Sequence, residues 1–554
     1  MSRTPRLLAV AFAFAALLVP AAAHASPLQT SIMMDDDLLV NRDDSTATKA
    51  LEQMKKLGVD TVRVTVLWRT VAQNTRFSKA DLKKLKGRYR TAALKQNKRF
   101  KPTNPSTYPI RNWDRYDNLV NEAAKVGIKI YFNVTGPGPA WAMTKPPKAQ
   151  HALASTWKPR PSAFKQFVTA VGTRFSGTYR DEDGSKGVIP RVRFWSLWNE
   201  PNQAGWLSPQ WEKHGSQMVP ASPALYRELY QYGYKGLVAS GHRIDTDIIL
   251  MGETAPNGAD AETTKSPMRP GLFLREVACV DPAGNPYTGS AATLRKCSDF
   301  AKRGPLIANG YAHHPYTKNV PPTVADPNPD TLTMANIGSL GTLLDTLSAK
   351  TGGDIPANLP LFMTEFGFET NPPDPFSGVA PALQAEYDNV GEYQAWQNPR
   401  IQSQAQFLLR DVAPVRTHKK NSKAYWFTYQ SGLFYLNGTP KPSLASYATP
   451  FLAFDAHTVD PATGTEMFNL WGQMRLLPNG AQANVQIQWR DKTNPSAPWV
   501  SVGDLVPIDG MGYFQATRSA PAAVTGEWRS SIVVNDPTTG VPTIVASSPG
   551  TGGI

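Results

Sequence analysis

Phe194-Trp195-Ser196-Leu197-Trp198-Asn199-Glu200-Pro201-Asn202 is a short apolar run that breaks into an amide, a carboxylate and a proline. Such a run, bounded by turn-forming residues, reads as a buried strand whose end carries polar chemistry. The same grammar recurs on both sides of it. Candidate strands are Ser31–Met34, Thr61–Leu67, Ile128–Val134, Val192–Leu197, Ile248–Met251, Ile307–Ala312, Leu361–Thr364 and Ala424–Thr428. Between them apolar residues fall three and four apart, the helical spacing, in Ala47–Leu57, Trp113–Val126, Ser162–Phe175, Ala224–Ser240, Leu340–Lys350 and Ile401–Val412. Strands alternating with helices imply a parallel sheet. Eight units predict an α/β fold, a (β/α)8 TIM barrel over residues 26–450. An open doubly wound sheet would bring a glycine-rich phosphate turn, and the sequence has none.

Beyond residue 450 the period changes. Leu470–Leu476, Ala483–Trp489, Trp499–Val502, Gly512–Arg518 and Glu527–Val534 alternate in short runs parted by turn residues. Residues 451–546 are therefore expected to form a C-terminal all-β sandwich. The low-complexity end, residues 547–554, is expected to be a disordered tail.

The chain of 554 residues is 41% hydrophobic and 18% charged, which excludes a disordered protein. Arg3 and Arg6 precede an apolar run over residues 7–19 and a small-residue cleavage site, Ala23-His24-Ala25. Residues 1–25 thus read as a signal peptide, too short in its apolar part to span a membrane, and the protein is expected to be secreted. In an exported chain the only two cysteines, Cys279 and Cys297, are expected to form one disulfide. The formal net charge is +14, yet ten basic residues and one acid between Lys79 and Lys101 give a local +9. That stretch is either a solvated helical face or a local dock for an anionic polymer. With few aromatics interleaved and no recognition module, nucleic acid is not an expected partner.

A second carboxylate stands at a strand end in Leu361-Phe362-Met363-Thr364-Glu365-Phe366-Gly367. Strands four and seven of a barrel face each other across its mouth, and Glu200 and Glu365 would share one cavity. Two such carboxyl groups are what glycosidic bond cleavage requires, one as proton donor and one as nucleophile or base. Glu253, at the end of the fifth run, is a rival that lacks amide and aromatic neighbours. Asp35-Asp36-Asp37 alternates across a strand, which suits hydroxyl acceptance or an arginine partner better than an ion.

These motifs resemble clan A of the retaining glycoside hydrolases, and within it the branch of β-xylosidases, α-L-iduronidases and bacterial exopolysaccharide hydrolases. The resemblance covers residues 29–450. It implies Glu200 as acid/base, Glu365 as nucleophile, and Asn199 as a hydrogen-bonding partner of the sugar 2-hydroxyl. It further implies that Arg63 keeps the nucleophile ionised and that Tyr316, in a His-x-Tyr with His314, orients it. Trp426 would be the aromatic floor under the reactive sugar. Trp141, after the third strand, is placed to line the cleft, and His313 is as readily a structural histidine. Where many members of the clan end the third strand with His, this chain reads Tyr131-Phe132-Asn133-Val134. The expectation is a monomeric, secreted retaining glycosidase that uses no metal or organic cofactor, with an anionic or wall-attached polysaccharide among its expected substrates. The alternative is a catalytically silent carbohydrate-binding or cell-envelope barrel.

Overall fold

The computed structural model describes residues 29–494, 496–522, 525–535 and 541–553. The expected signal peptide lies outside them. Eight strands close a parallel barrel in chain order: β1 (Thr30–Met34), β2 (Thr61–Leu67), β3 (Lys129–Thr135), β4 (Phe194–Leu197), β5 (Ile248–Thr254), β6 (Gly310–His313), β7 (Leu361–Met363) and β8 (Ile401–Phe407), with β8 returning to β1.

Alternation along these strands sorts the residues. On β2, Val62, Val64 and Val66 join the core between barrel and helices, while Arg63 and Thr65 turn to the lumen. On β3, Ile130, Phe132 and Val134 face outward and leave Tyr131, Asn133 and Thr135 inside. The lumen floor is plugged by Ile32, Tyr131, Phe194, Leu250, Ala312, Phe362 and Ala405. Above that plug the inward positions are polar, so the site sits at the C-terminal mouth, where barrel active sites are built.

The expected eighth strand, Ala424–Thr428, is corrected. That segment lies in the loop after the barrel, and the closing strand is Ile401–Phe407, which the apolar spacing predicts as helix. Gln402, Gln404 and Gln406 favour helix locally, but five successive pairings with β1, from Thr30↔Ser403 to Met34↔Phe407, override that preference. The helix before it is Pro381–Gln397.

The basic stretch is two exposed helices, Lys79–Lys84 and Gly87–Arg99, inserted after β2 and therefore on the site's face. Downstream, Phe451–Val459, Glu466–Gln473 and Tyr513–Ser519 form one antiparallel sheet. Asn484–Asp491, Gly526–Asn535 and Pro542–Ser547 form the centre of a second, and the two enclose their own core around Trp528, Ile487 and Phe514. The expected disordered tail is corrected too. Thr551–Gly552 pairs with Glu527–Trp528, because Gly553 lets the backbone lie against the Phe468 ring, where a Cβ would stand 2.5 Å from a ring atom. The sandwich is bolted to the barrel's helical shell. Leu452, Trp471 and Tyr513 pack with Val390, Tyr393 and Trp396 of helix Pro381–Gln397, and Arg475 pairs with Glu392. The Cys279–Cys297 disulfide is formed and closes the loop around helix Gly289–Leu294.

Candidate active site

Arg63 organises the site. It is fully buried in the lumen, and its Nη1 donates to Glu365 Oε1 at 2.8 Å. Its Nη2 donates to Asn199 Oδ1 at 2.7 Å and to Glu253 Oε2 at 3.0 Å. Burial works against its charge, yet Glu253 and Glu365 hold the guanidinium above its ordinary value. Residues from the ends of strands four, five and seven therefore converge on one cation from strand two.

The Trp-Asn-Glu-Pro-Asn segment is held by its own members. Trp198 packs edge-on to Phe164 and leaves no room for a Cβ at Gly136. Trp198 and Glu200 both have positive φ, 77° and 36°. Neither is glycine, so the backbone stores strain of about 1–3 kcal/mol per residue, which the surroundings must hold. They do so through hydrogen bonds. Asn199 N donates to Thr135 Oγ1 at 2.9 Å, Glu200 N to the Glu253 carbonyl at 2.8 Å, and Asn133 Nδ2 to the Trp198 carbonyl at 3.1 Å. Asn133 thus supports the strained turn. Asn202 clamps the β5 loop through the Ala255 and Met268 carbonyls, each at 2.9 Å. With Oδ1 of Asn199 taken by Arg63, its Nδ2 has no protein partner among the described residues.

His314 links all three carboxylates. Its Nε2 is 2.7 Å from Glu253 Oε2, and its Nδ1 is 3.0 Å from Glu200 Oε1 and 3.5 Å from Glu365 Oε2. Burial lowers its pKa, but Glu365 and the hydrogen bonds to Glu200 and Glu253 raise it from 6.5 to about 10. It is an imidazolium that donates from both nitrogens. Tyr316 OH donates to Glu365 Oε2 at 3.1 Å, completing the cradle. Burial pushes the Glu365 carboxyl up, against the pull of His314 and Arg63 and with the push of Glu200 and Glu253. Arg63 and Tyr316 thus hydrogen-bond Glu365, while the Nδ1–H of His314 goes to Glu200 and lies 3.5 Å from Glu365.

Glu200, His314 and Glu365 each offer a potential metal-ligating atom, all within 4.8 Å of one another. A metal needs a neutral imidazole with a free lone pair. His314 is charged with both nitrogens engaged, so its imidazolium is itself the cation among these carboxylates.

Glu253 is the residue that sequence reasoning undervalued. It is wholly buried and accepts from Arg63, His314, Tyr131, Ser196 at 2.6 Å and Thr364 at 2.8 Å. Burial raises its pKa, but Arg63 and His314 outweigh this and hold it well below the carboxylate range. The signal was Gly252 inside a strand. A bulge between Gly252 and Thr254 turns Glu253 inward at φ 53°, and Gly252 has φ 104°, where a Cβ would meet the Ala312 carbonyl at 2.4 Å.

Trp426 is not on a barrel strand. Its indole donates to the Lys420 carbonyl at 3.1 Å and packs on Tyr425, and no contact with the carboxylates is found among the described residues. Tyr429 of the same loop comes nearer. It packs edge-on against Phe407, 4.9 Å between centroids, and burial and the charges of Glu365 and Glu200 raise its hydroxyl's pKa. Trp141 is half-buried, braced by Trp68 and Phe100, and lines a cleft beside the mouth. His313 is structural: burial drops it to about 3, and its nitrogens meet Thr254 Oγ1 and the Leu332 carbonyl, each at 2.8 Å. The three aspartates disperse. Asp35 caps a turn through Leu38 N, Asp36 accepts from Thr65 N and Asp37 pairs with Arg42.

No family profile and no curated protein matches the chain. Solved structures that align with it include GH5_18 from Streptomyces cattleya in complex with GlcNAc, at 15% identity and TM-score 0.43, covering 76% of this chain and 79% of that one. An exo-β-1,4-mannosidase from Opitutaceae bacterium strain TAV5 aligns at 12% identity and TM-score 0.40, over 77% of this chain and 61% of its own. A glycoside hydrolase family 5 mannosidase from Rhizomucor miehei aligns at 13% and 0.38, over 76% and 92%. What the site can do follows from its own side chains.

Proposed function

We propose that this chain is a secreted retaining glycoside hydrolase of clan A type, acting on a poly- or oligosaccharide. The observation that carries the reading is the pair Glu200 and Glu365, with oxygens within 4.8 Å of each other at one barrel mouth. Retaining enzymes hold their carboxyl groups about 5–5.5 Å apart, whereas inverting ones leave about 6.5–9.5 Å for a water.

In the first step a Glu365 oxygen attacks the anomeric carbon and an ester bond forms. The bond to the leaving oxygen breaks, and that oxygen takes the Glu200 proton. His314 engages Oε1 of Glu200 and leaves its other oxygen to face the leaving group. Water then enters and gives a proton to Glu200. Its oxygen attacks the anomeric carbon, and Glu365 departs as a carboxylate. Two inversions return the starting configuration. With Glu200 protonated, Arg63 and His314 balance Glu253 and Glu365. When Glu365 is esterified and Glu200 ionised, the balance is again zero, so neither step leaves net charge in the buried site.

The sugar is not carried over from the β-xylosidase and α-L-iduronidase branch, since the third strand lacks the His with which many members of the clan end it. Secretion is supported by residues 1–25. The test is hydrolysis of a panel of aryl glycosides. Glu365→Ala and Glu200→Gln are expected to lose turnover by at least about 10³-fold. Near-wild-type rates in either would sink the assignment. A wild-type protein that binds oligosaccharide but turns over no member of the panel would favour the silent carbohydrate-binding alternative.

A further inference from the structure

A cavity of about 410 Å3 opens between the loops that follow β2 and β3, and Arg69, Arg76, Gln73, Asn74, Asp81 and Trp141 are among the residues lining it. It lies on the same face of the barrel as Glu200 and Glu365, among the loops that follow the strands. Arg69 N donates to the Pro137 carbonyl at 2.9 Å, two residues beyond Thr135, which holds Asn199. Both arginines are exposed, and neither guanidinium has a protein acceptor among the described residues. The one acid, Asp81, is spent on a helix cap, accepting from Ser78 N and Oγ.

The arginines are carried on a loop whose backbone is pinned from two sides. Asn112 Nδ2 donates to the Val71 and Gln73 carbonyls at 3.0 and 2.8 Å. From the basic helix Gly87–Arg99, Asn97 exchanges two hydrogen bonds with the backbone of Phe77, at 2.7 and 2.9 Å, and Gln96 reaches the Asn74 carbonyl. The helices that carry the local +9 therefore also fix the cleft's wall. A second loop points the same way. After β8 come Arg416, Lys419, Lys420 and Lys423, then Tyr425, Trp426, Phe427 and Tyr429, with Phe427 86% exposed. Strands β2, β1 and β8 are neighbours around the barrel, so the two basic, aromatic loops flank one side of the mouth.

We infer that the Arg69–Arg76–Trp141 cleft is a subsite for an anionic sugar unit of the substrate, bearing carboxylate or phosphate. Two unpaired guanidinium groups supply planar donors for such an anion, and the indole beside them a surface for the pyranose. Holding the unit one loop away from Glu200 feeds the neighbouring linkage to the carboxylates. The inference rests on the glycosidase reading for its meaning, but its test needs no turnover.

The test is calorimetric binding of a hexameric oligogalacturonate, its fully methyl-esterified counterpart and a hexamannoside bearing 6-phosphate groups. The protein is compared with Arg69→Ala/Arg76→Ala. Lys302→Ala/Lys350→Ala serves as control, removing the same charge from helices that lead into strands at the opposite barrel end. At least one anionic oligomer is expected to bind, tenfold or more weaker in the arginine variant and within twofold of wild type in the control. Which one binds separates a carboxylate from a phosphate source. Its affinity is expected to fall as salt rises from 50 to 300 mM, less steeply in the arginine variant. Equal binding of the methyl ester, no binding of either anion, or an unaltered arginine variant would overturn the inference. The glycosidase reading fails separately, through the aryl glycoside assay.

Discussion

Replacing Glu253 by Gln keeps the shape of a buried side chain and removes its charge. Oε2 of Glu253 meets Arg63 at 3.0 Å, His314 at 2.7 Å and Thr364 at 2.8 Å, while Oε1 meets Ser196 at 2.6 Å and the Tyr131 hydroxyl. A glutamine must point its amide nitrogen at one of these groups of donors. The hydroxyls of Ser196 and Tyr131 can turn to accept, so the amide settles there and Arg63 and His314 keep a neutral carbonyl in place of an anion. Breaking a buried ion pair costs about 3–5 kcal/mol. A barrel of this size unfolds with an entropy near 0.9 kcal/mol/K, so its melting temperature is expected to drop by about 3–6 °C. With the Glu253 carboxylate gone and those of Glu365 and Glu200 kept, His314 should titrate below the present value of about 10. Glu365 loses a fixed Arg63 and a fixed His314, and kcat is expected to fall about 100-fold, or about 2.7 kcal/mol. KM should hold within about threefold, because Glu253 touches no substrate. Circular dichroism checks the fold, aryl glycoside kinetics give the kcat-against-KM split, and imidazole NMR follows His314. A variant with wild-type kcat and an unmoved His314 titration would refute the reasoning.

Tyr316→Phe removes one 3.1 Å hydrogen bond to Glu365 and is expected to lower kcat about tenfold, read in steady-state kinetics; an unchanged rate would show that Tyr316 does not orient the nucleophile. Because His314 is raised from 6.5 to about 10, the stability it contributes is complete below pH 6.5 and is lost as pH rises through about 10. The melting temperature should therefore fall between pH 8 and 10 in the wild type and less so in His314→Gln, and parallel curves would contradict the assigned charge. Cys279→Ser/Cys297→Ser opens a closure of 18 residues and is expected to cost about 3 kcal/mol in denaturant unfolding. Added reductant should then destabilise the wild type alone.

Legibility in the sequence followed local chemistry. Val62-Arg63-Val64-Thr65-Val66 shows its pattern openly, since valines pack the helices and the residues between them face the lumen. Trp198-Asn199-Glu200-Pro201-Asn202 and Thr364-Glu365 could be placed at strand ends because apolar runs break there. Where tertiary pairing decides, the sequence is mute. Ile401–Phe407 is a strand because β1 and β7 flank it, although three glutamines favour helix. The misplaced eighth strand carried Trp426 with it, and in that loop it is Tyr429 that the charges of Glu365 and Glu200 reach. Glu253 looked isolated because its partners are far apart in the chain, up to Arg63, 190 residues away. Even so, Gly252 marked the bulge that aims it. The basic stretch could be read as a charge but not as a clamp, since Gln96 and Asn97 act through backbone that lies 20 or more residues earlier.

The central claim is that Glu365 forms a covalent bond to the sugar while Glu200 moves the proton. The most direct measurement is the anomeric configuration of the first-formed product, followed by proton NMR in the opening minutes of hydrolysis of the aryl glycoside turned over fastest, before mutarotation. The arrangement of Glu200 and Glu365 predicts retention, and intact mass after a 2-fluoro glycoside should place one sugar on Glu365. Inversion of the anomeric centre, with no adduct on Glu365, would contradict it.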